Sequence, residues 1–342
     1  MSNTLLYNRK ELRALLKPYE QKNNILALGL CLTDYLLLLI GEYLVVTLPL
    51  ILKPFASFIV FIAIVRLFVL GHDACHGALT SSKKLNQWLG RLVFLPSMTT
   101  FHGWAVGHNM THHGFTNLAS KKDMWLPLSP EDYQALNSYE QLCYRIYRNS
   151  VGVTAYYLFE VWWKYLYFPS PKIVGIDAAK RFLPDSALVT CFMLIWISSL
   201  YAIALLTNQT FIPLLLLGIV FPFLAWNMTG SFLIYIQHTH PKVRWYQDQQ
   251  AWIDSHPHVT ATVHIRFPQW ISSIIHHVME HNAHHMDMNI PCYNLRAAQH
   301  QLEKKLSSNI VIQDFSWKWF SECTHICKLY DYNSYQWLPF EK

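Results

Sequence analysis

Two long apolar stretches constrain this chain more than any other feature. Residues 24–70 are almost continuously hydrophobic, about twice the ~20 residues that one helix needs to cross a ~30 Å hydrocarbon core. Pro49 and Pro54 punctuate the run, and Lys53 stands between them. The expectation is a helical hairpin with spans near 25–47 and 53–71. A second pair follows at 186–206 and 211–236, parted by the polar turn Thr207-Asn208-Gln209-Thr210 and by Pro213. The aromatic segment 151–168 is long enough to cross, but Glu160, Lys164 and four tyrosines make it read as a helix lying among lipid headgroups.

Composition agrees with this reading. Only 14% of the residues are charged and 52% are hydrophobic, where soluble domains carry roughly a quarter charged residues. Intrinsic disorder, coiled coils and nucleic-acid proteins with basic tails are thereby excluded. The fold class expected is an all-α integral membrane protein: four transmembrane helices, with a cytoplasmic helical cap formed by 72–185 and 237–342. The first 24 residues are polar (Arg9, Lys10, Arg13, Lys17, Lys22) and lead into no signal-peptide pattern, so the hairpin is retained. Of 27 lysines and arginines, all but Lys53 and Arg66 fall on the side that holds both termini. The positive-inside bias makes that side cytoplasmic. The net charge of +6 then reflects topology and attraction to anionic lipid, with no nucleic-acid partner. Seven cysteines without a CxxC pair read as reduced thiols. Asp34 and Glu42 in the first span and Arg66 in the second are costly unless paired. A hairpin turning near residue 50 sets Asp34 and Arg66 at one depth and predicts an ion pair between them; snorkelling of Arg66 is the alternative.

Histidine is the second constraint, because its 18 copies cluster. Directly after the second span stands His72-Asp73-Ala74-Cys75-His76, an HxxxH pattern whose rings share one helical face. His108-Asn109-Met110-Thr111-His112-His113 gives HxxxHH, the same i,i+4 pair in His108 and His112 with the adjacent ring of His113 turned toward a second point; His238 and His240 follow the fourth span, and His276, His277, His281, His284 and His285 form the last cluster. Imidazole suits Zn, Cu, Fe and Ni. A structural zinc takes four ligands and a catalytic zinc three, so eight or nine histidines are too many for one ion. Two metals sharing nine nitrogen ligands is the economical reading. Asp73, Glu280 and Asp287 are then acceptors that hold ring N–H groups. Two readings from other classes stand beside it. His277-Val278-Met279-Glu280-His281 spells HxxEH, a zinc-peptidase pattern with Glu280 as base, and a metal-handling membrane protein would also use many histidines.

With these residues the chain resembles the membrane fatty acid desaturase superfamily, whose signature is three histidine boxes around a di-iron centre. The likeness spans about residues 60–300, as a single domain over 1–342. The nearest branch is that of the omega-6 (delta-12) acyl desaturases, on GHDACH at the first box, IYIQHTHP at 234–241, ATVH at 261–264 and IPCYNLRAA at 290–298. Carried over by position, the resemblance implies metal ligands at His72, His76, His108, His112, His113, His281, His284 and His285, with His238 as the ninth. His276 and His277 are placed beside the third box as outer partners. His102, His256, His258, His264, His300 and His325 read as surface or satisfied histidines, His102 in FHGW being the best candidate for more. One departure stands out: omega-6 enzymes usually carry HxxHH as the second box, and here His108 lies one residue farther out.

The resemblance implies an O2-dependent acyl desaturase that uses two Fe ions, with O2 as co-substrate, to introduce a cis double bond into a membrane lipid or acyl thioester. Removing hydrogen from an unactivated methylene is beyond side-chain acids and bases. The same ligands would serve a hydroxylase or acetylenase, the outcome turning on substrate placement. No haem-binding HPGG, ferredoxin cysteine spacing or GxGxxG loop is present in the sequence, which implies an external ferredoxin or cytochrome-type donor with its reductase. Lys121, Lys122, Lys180 and Arg181 are candidate docking residues. Cys323 and Cys327, in CTHIC, read as part of a packed turn.

Overall fold

The computed structural model describes residues 8–121, 124–169, 171–306 and 308–340; Lys122 lies outside them. Four helices among these are long and apolar enough to cross a membrane. After a short basic helix α1 (Arg9–Leu16), the hairpin consists of α2 (Asn24–Thr47) and α3 (Lys53–Cys75), which continues past the apolar run to carry the first histidine box. Helix α4 (Lys83–Phe94) packs back on α3. The second pair is α5 (Ile176–Leu206), with Pro184 inside it, and α6 (Phe211–His238).

The buried stripe of α2 is Ala27, Cys31, Asp34, Leu38, Gly41 and Val45, alternating steps of four and three that keep one helical face inward. Leu28, Leu32, Leu36, Leu39 and Tyr43 point outward, as lipid-facing side chains do. Lys53 closes the far end of the bundle. Its ammonium donates to the carbonyls of Val45 and Val46 and to Gln209 in the α5–α6 turn, which supplies partners to carbonyls that the end of α2 leaves open. Asp34 and Arg66 do meet, with Nε of Arg66 2.5 Å from Oδ1 of Asp34. The carboxylate oxygens of Glu42 are buried in the bundle, facing Trp196 and Gly218.

The polar segments gather at the opposite end as one cap. It is mostly helical, but it also contains two two-stranded sheets, a departure from the all-α expectation. β1 (Val263–Arg266) pairs parallel with β2 (Val311–Asp314), and β3 (Leu329–Asp331) pairs antiparallel with β4 (Gln336–Leu338). These strands are three or four residues long, too short for alternation to stand out in a sequence. The segment 151–168 is a 3-10 turn followed by a π-helix at Tyr157–Tyr167, packed against α6. All seven cysteines are free. Cys323 and Cys327, with Sγ atoms 3.9 Å apart, sit buried in an aromatic cluster with Trp245, Tyr330 and Trp337.

Candidate metal centre

Where α3 and α6 leave the bundle, the structure brings nine histidines into two adjoining nests. His72, His76, His108, His113 and His284 form one, and His112, His238, His281 and His285 the other, the ligand atoms of each lying within 4.8 Å of one another. These are the nine positions singled out from the sequence. The nests share a boundary: the rings of His113 and His285 are 4.2 Å apart, and His108 stacks on His112 at 5.1 Å.

Local winding decides which histidine enters which nest. In α3 the i,i+4 pair His72 and His76 falls on one face, as an α-helix requires. The second box lies in a π-helix, Ala105–His112, where the N–H of His113 donates to the carbonyl of His108 five residues back. In an α-helix, residues five apart stand about 140° apart; the wider turn lays His113 beside His108, with Nε2 atoms 3.1 Å apart. The extra residue of HxxxHH is taken up in this way, since a π turn inserts one residue without breaking the helix. The third box is a short helix, α7 (His281–Met286). His281 and His285 share a face, with Nε2 atoms 3.1 Å apart, while His284 turns to His113 at 3.0 Å.

Hydrogen bonding selects the ring tautomers. Nδ1 of His72 faces Asp73 at 3.1 Å, and Nδ1 of His238 faces the carbonyl of Ala261 at 3.2 Å. Nδ1 of His285 lies 3.4 Å from Thr116 Oγ1, whose own hydrogen is committed to the His112 carbonyl. Each Nδ1 therefore carries the proton, and each Nε2 presents a lone pair to its nest. Nε2 of His281 lies 2.9 Å from that of His238 and 3.1 Å from that of His285, yet one imidazole can donate to only one of them. Such a donor set fits a cation that accepts every lone pair. Burial first, and then the neighbouring imidazoles, push His108, His113, His281, His284 and His285 well below the ordinary histidine range. Both influences favour the neutral imidazole, the form that can offer a lone pair to a metal.

The outer partners sort differently. Asp73 touches His72 and also accepts from the backbone N–H of Cys292, tying the first box to the segment 290–298. His276 turns away from the nests, its Nε2 2.6 Å from Asp34 Oδ2. His277 Nδ1 lies 3.0 Å from Ser272 Oγ, which donates to Glu280 at 2.9 Å. His277 thus lies apart from both nests, and the pair required by HxxEH is not assembled. Asp287 pairs with Arg13 at 3.2 Å. Trp104 stacks on His108 at 4.7 Å; sequence reading missed the polar supports, Asn109 donating to the Cys75 carbonyl and Gln299 accepting from the N–H of Ala283. Neither has a local pattern that would mark it.

An apolar cavity opens beneath both nests. His72, His108, His112, His238 and His281 line its polar end, and Val65, Val69, Leu233, Ile234 and Val278 its walls. Phe68, 4.9 Å from Trp104 and 5.0 Å from Trp226, and Tyr157, 5.5 Å from Trp226, add a group of packed aromatic rings to its lining. A second groove, with Lys121, Glu160 and Tyr165, shares Trp104, His108 and Met124 with it.

Comparison with known proteins shows what the chain is similar to. The family model described as fatty acid desaturase matches residues 50–316. An sn-1 oleoyl-lipid 12-desaturase of Picosynechococcus sp. is 27% identical over 269 residues, covering 77% of this chain and 73% of that protein. The enzyme of the same name from Anabaena variabilis is 24% identical over 335 residues, covering 96% and 91%. The chloroplastic omega-6 fatty acid desaturase of Spinacia oleracea is 25% identical over 335 residues, covering 98% and 72%.

Proposed function

The chain belongs to the fatty acid desaturase family, and from that premise we propose that its nine clustered histidines would hold two irons and that the enzyme introduces a double bond at carbon 12 of an oleoyl chain. That it is an acyl desaturase follows from the family and from relatives of the omega-6/delta-12 branch. The observation that carries the finer reading is the pair of nests, five and four imidazoles, set side by side over one apolar cavity. Bound iron would supply the O2-dependent removal of hydrogen from an unactivated methylene. The residues of the chain do the rest. His72, His76, His108, His113 and His284 would hold one ion, and His112, His238, His281 and His285 the other. Asp73 and the Ala261 carbonyl orient two of these rings. The cavity would receive the acyl chain and exclude water, and the groove at Lys121 and Glu160 would take the polar end of the lipid. Nearly all lysines and arginines lie at the cap end, which supports a cytoplasmic cap and termini in one domain spanning the chain.

Expression in a host that accumulates oleoyl lipids, with fatty-acid profiling, tests this directly. Expected is a diunsaturated product whose new cis bond lies at carbon 12, together with two irons per chain by Mössbauer spectroscopy. A hydroxylated product, or unchanged lipids from iron-loaded protein, would overturn it.

Cavity depth gives a narrower prediction. Gly230 lines the cavity, and a Cβ built there meets nothing within 4 Å. It lies eight residues before His238, about 12 Å along the helix. Leucine at this position fills space reserved for substrate. Turnover of the oleoyl chain should fall about tenfold while iron content and melting temperature stay unchanged; a shorter monounsaturated chain should lose less. Equal losses for both chains would show that Gly230 does not set the depth.

A further inference from the structure

Desaturation consumes electrons, and the sequence carries no haem-binding, iron–sulfur or dinucleotide motif to deliver them, so one face of the cap must meet a reduced partner. The structure offers an exposed basic surface close to the histidines. Arg9, Arg13 and Lys17 follow one another at four-residue steps along α1 and its extension, and Lys10 completes an arc of about 100°. All four are exposed, and together with Glu20 they line an open groove. Glu20 is its single acidic lining residue and is paired with Lys17 at 2.8 Å. Lys22 lies just beyond, its ammonium 2.7 Å from the carbonyl of Gly77, next to His76.

We infer that this basic face of α1 is the docking surface for an acidic one-electron carrier protein, which passes electrons inward beside the Arg13–Asp287 contact. The inference rests on the desaturase reading. Nε of Arg13 lies 3.2 Å from Oδ2 of Asp287. Asp287 is buried, stands two residues beyond His285, and donates its N–H to the Ala283 carbonyl in the third-box helix. One ion pair and two residues of backbone thus separate the surface from a nest. Lys180 and Arg181, by contrast, stand at the start of the third apolar span, the level at which the headgroups of a bilayer would lie, and Lys121 lies over the Phe115 ring.

A basic helix is also drawn to an anionic bilayer, but firm binding there comes from burying an apolar face among the lipids. Here that face is already used: Leu12 and Leu16 are 1% and 0% exposed, packed within the protein core. With no apolar side to insert, the charges are left to steer a soluble partner.

The test measures binding apart from turnover. Full-length protein in lipid nanodiscs, zinc-loaded in place of iron, is titrated with an acidic plant-type [2Fe–2S] ferredoxin as salt is varied. The triple variant R9E/K10E/K17E should weaken binding about tenfold or more at low salt, with the difference vanishing near 1 M. A K180E/R181E control should bind normally. Zinc content and melting temperature check that the triple variant is folded. Unchanged ferredoxin affinity in the triple variant, an equal loss in the control, or a loss confined to phosphatidylglycerol vesicles would each overturn the inference. Failure of the desaturase reading shows separately: unmodified iron-loaded enzyme driven by photoreduced methyl viologen would then form no unsaturated product, whatever its affinity for ferredoxin.

Discussion

Replacing His238 with alanine is expected to abolish desaturation, lowering turnover by about a thousandfold or more. Each 1.36 kcal/mol of transition-state stabilisation is a factor of ten, and a metal supplies several. His238 is the ligand candidate that α6 contributes at its last residue. Its ring is held by the Ala261 carbonyl, and its Nε2 lies 2.9 Å from that of His281. Removing it leaves three imidazoles in a nest of four, and iron content should fall from two per chain to about one. The control is two residues away. His240 packs on Trp319 and accepts from the N–H of Lys242, so His240→Ala should keep both irons and change turnover less than about threefold. An H238A enzyme with two irons and ordinary turnover would remove His238 from the ligand set.

Asp34→Ala is expected to destabilise the protein by about 3–5 kcal/mol, the usual consequence of taking one partner from a buried ion pair. Asp34 is 0% exposed within α2. One carboxylate oxygen accepts from Arg66 on α3, and the other lies 2.6 Å from Nε2 of His276. Arg66 reaches on to the carbonyl of Ile274 at 3.0 Å. The membrane hairpin thus grips the loop that leads into the third histidine box. That loop needs gripping: His276 and His277 both have positive φ, 49° and 59°, a conformation that costs a residue with a side chain of order 1–3 kcal/mol. Without Asp34 the Arg66 guanidinium has lost its carboxylate and the loop its anchor. Thermal unfolding in nanodiscs should register the loss, and a double-mutant cycle with Arg66→Met should show coupling above about 1 kcal/mol. Additive effects would mean that the contact holds nothing in place.

The legible part of this protein was whatever repeats within a helical turn. Four apolar runs became four long helices, with ends within a few residues of expectation except at α5, which begins ten residues earlier, at Ile176. The proline-marked break near residue 50 is the observed turn between α2 and α3. The ion pair of Asp34 with Arg66 was readable because a hairpin with a known turning point equates depth along its two arms. The HxxxH spacing at His72 and His76 announced a shared face for the same reason, since i and i+4 always meet in an α-helix.

Spacing pointed to the wrong division of the second box: the i,i+4 rule pairs His108 with His112 and turns His113 to a second point, whereas His113 joins His108 and His112 enters the other nest. His112 and His113 are neighbours in sequence and enter different nests, because a π turn rotates the box by one residue; α and π winding differ by hydrogen bonds that no side-chain pattern reports. His284 and His285 divide because adjacent residues of α7 point in different directions and the helix is wedged between the two nests. The roles of His276 and Asp287 were invisible for another reason. Their partners, Asp34 and Arg13, are 242 and 274 residues away. Apolar length and local periodicity, which act within a turn or two, determined the spans and the candidate ligands. The sorting of ligands into nests, the grip of the hairpin on the third box, and the basic face beside it were decided by tertiary packing, because contacts across such separations exist only once the bundle has closed.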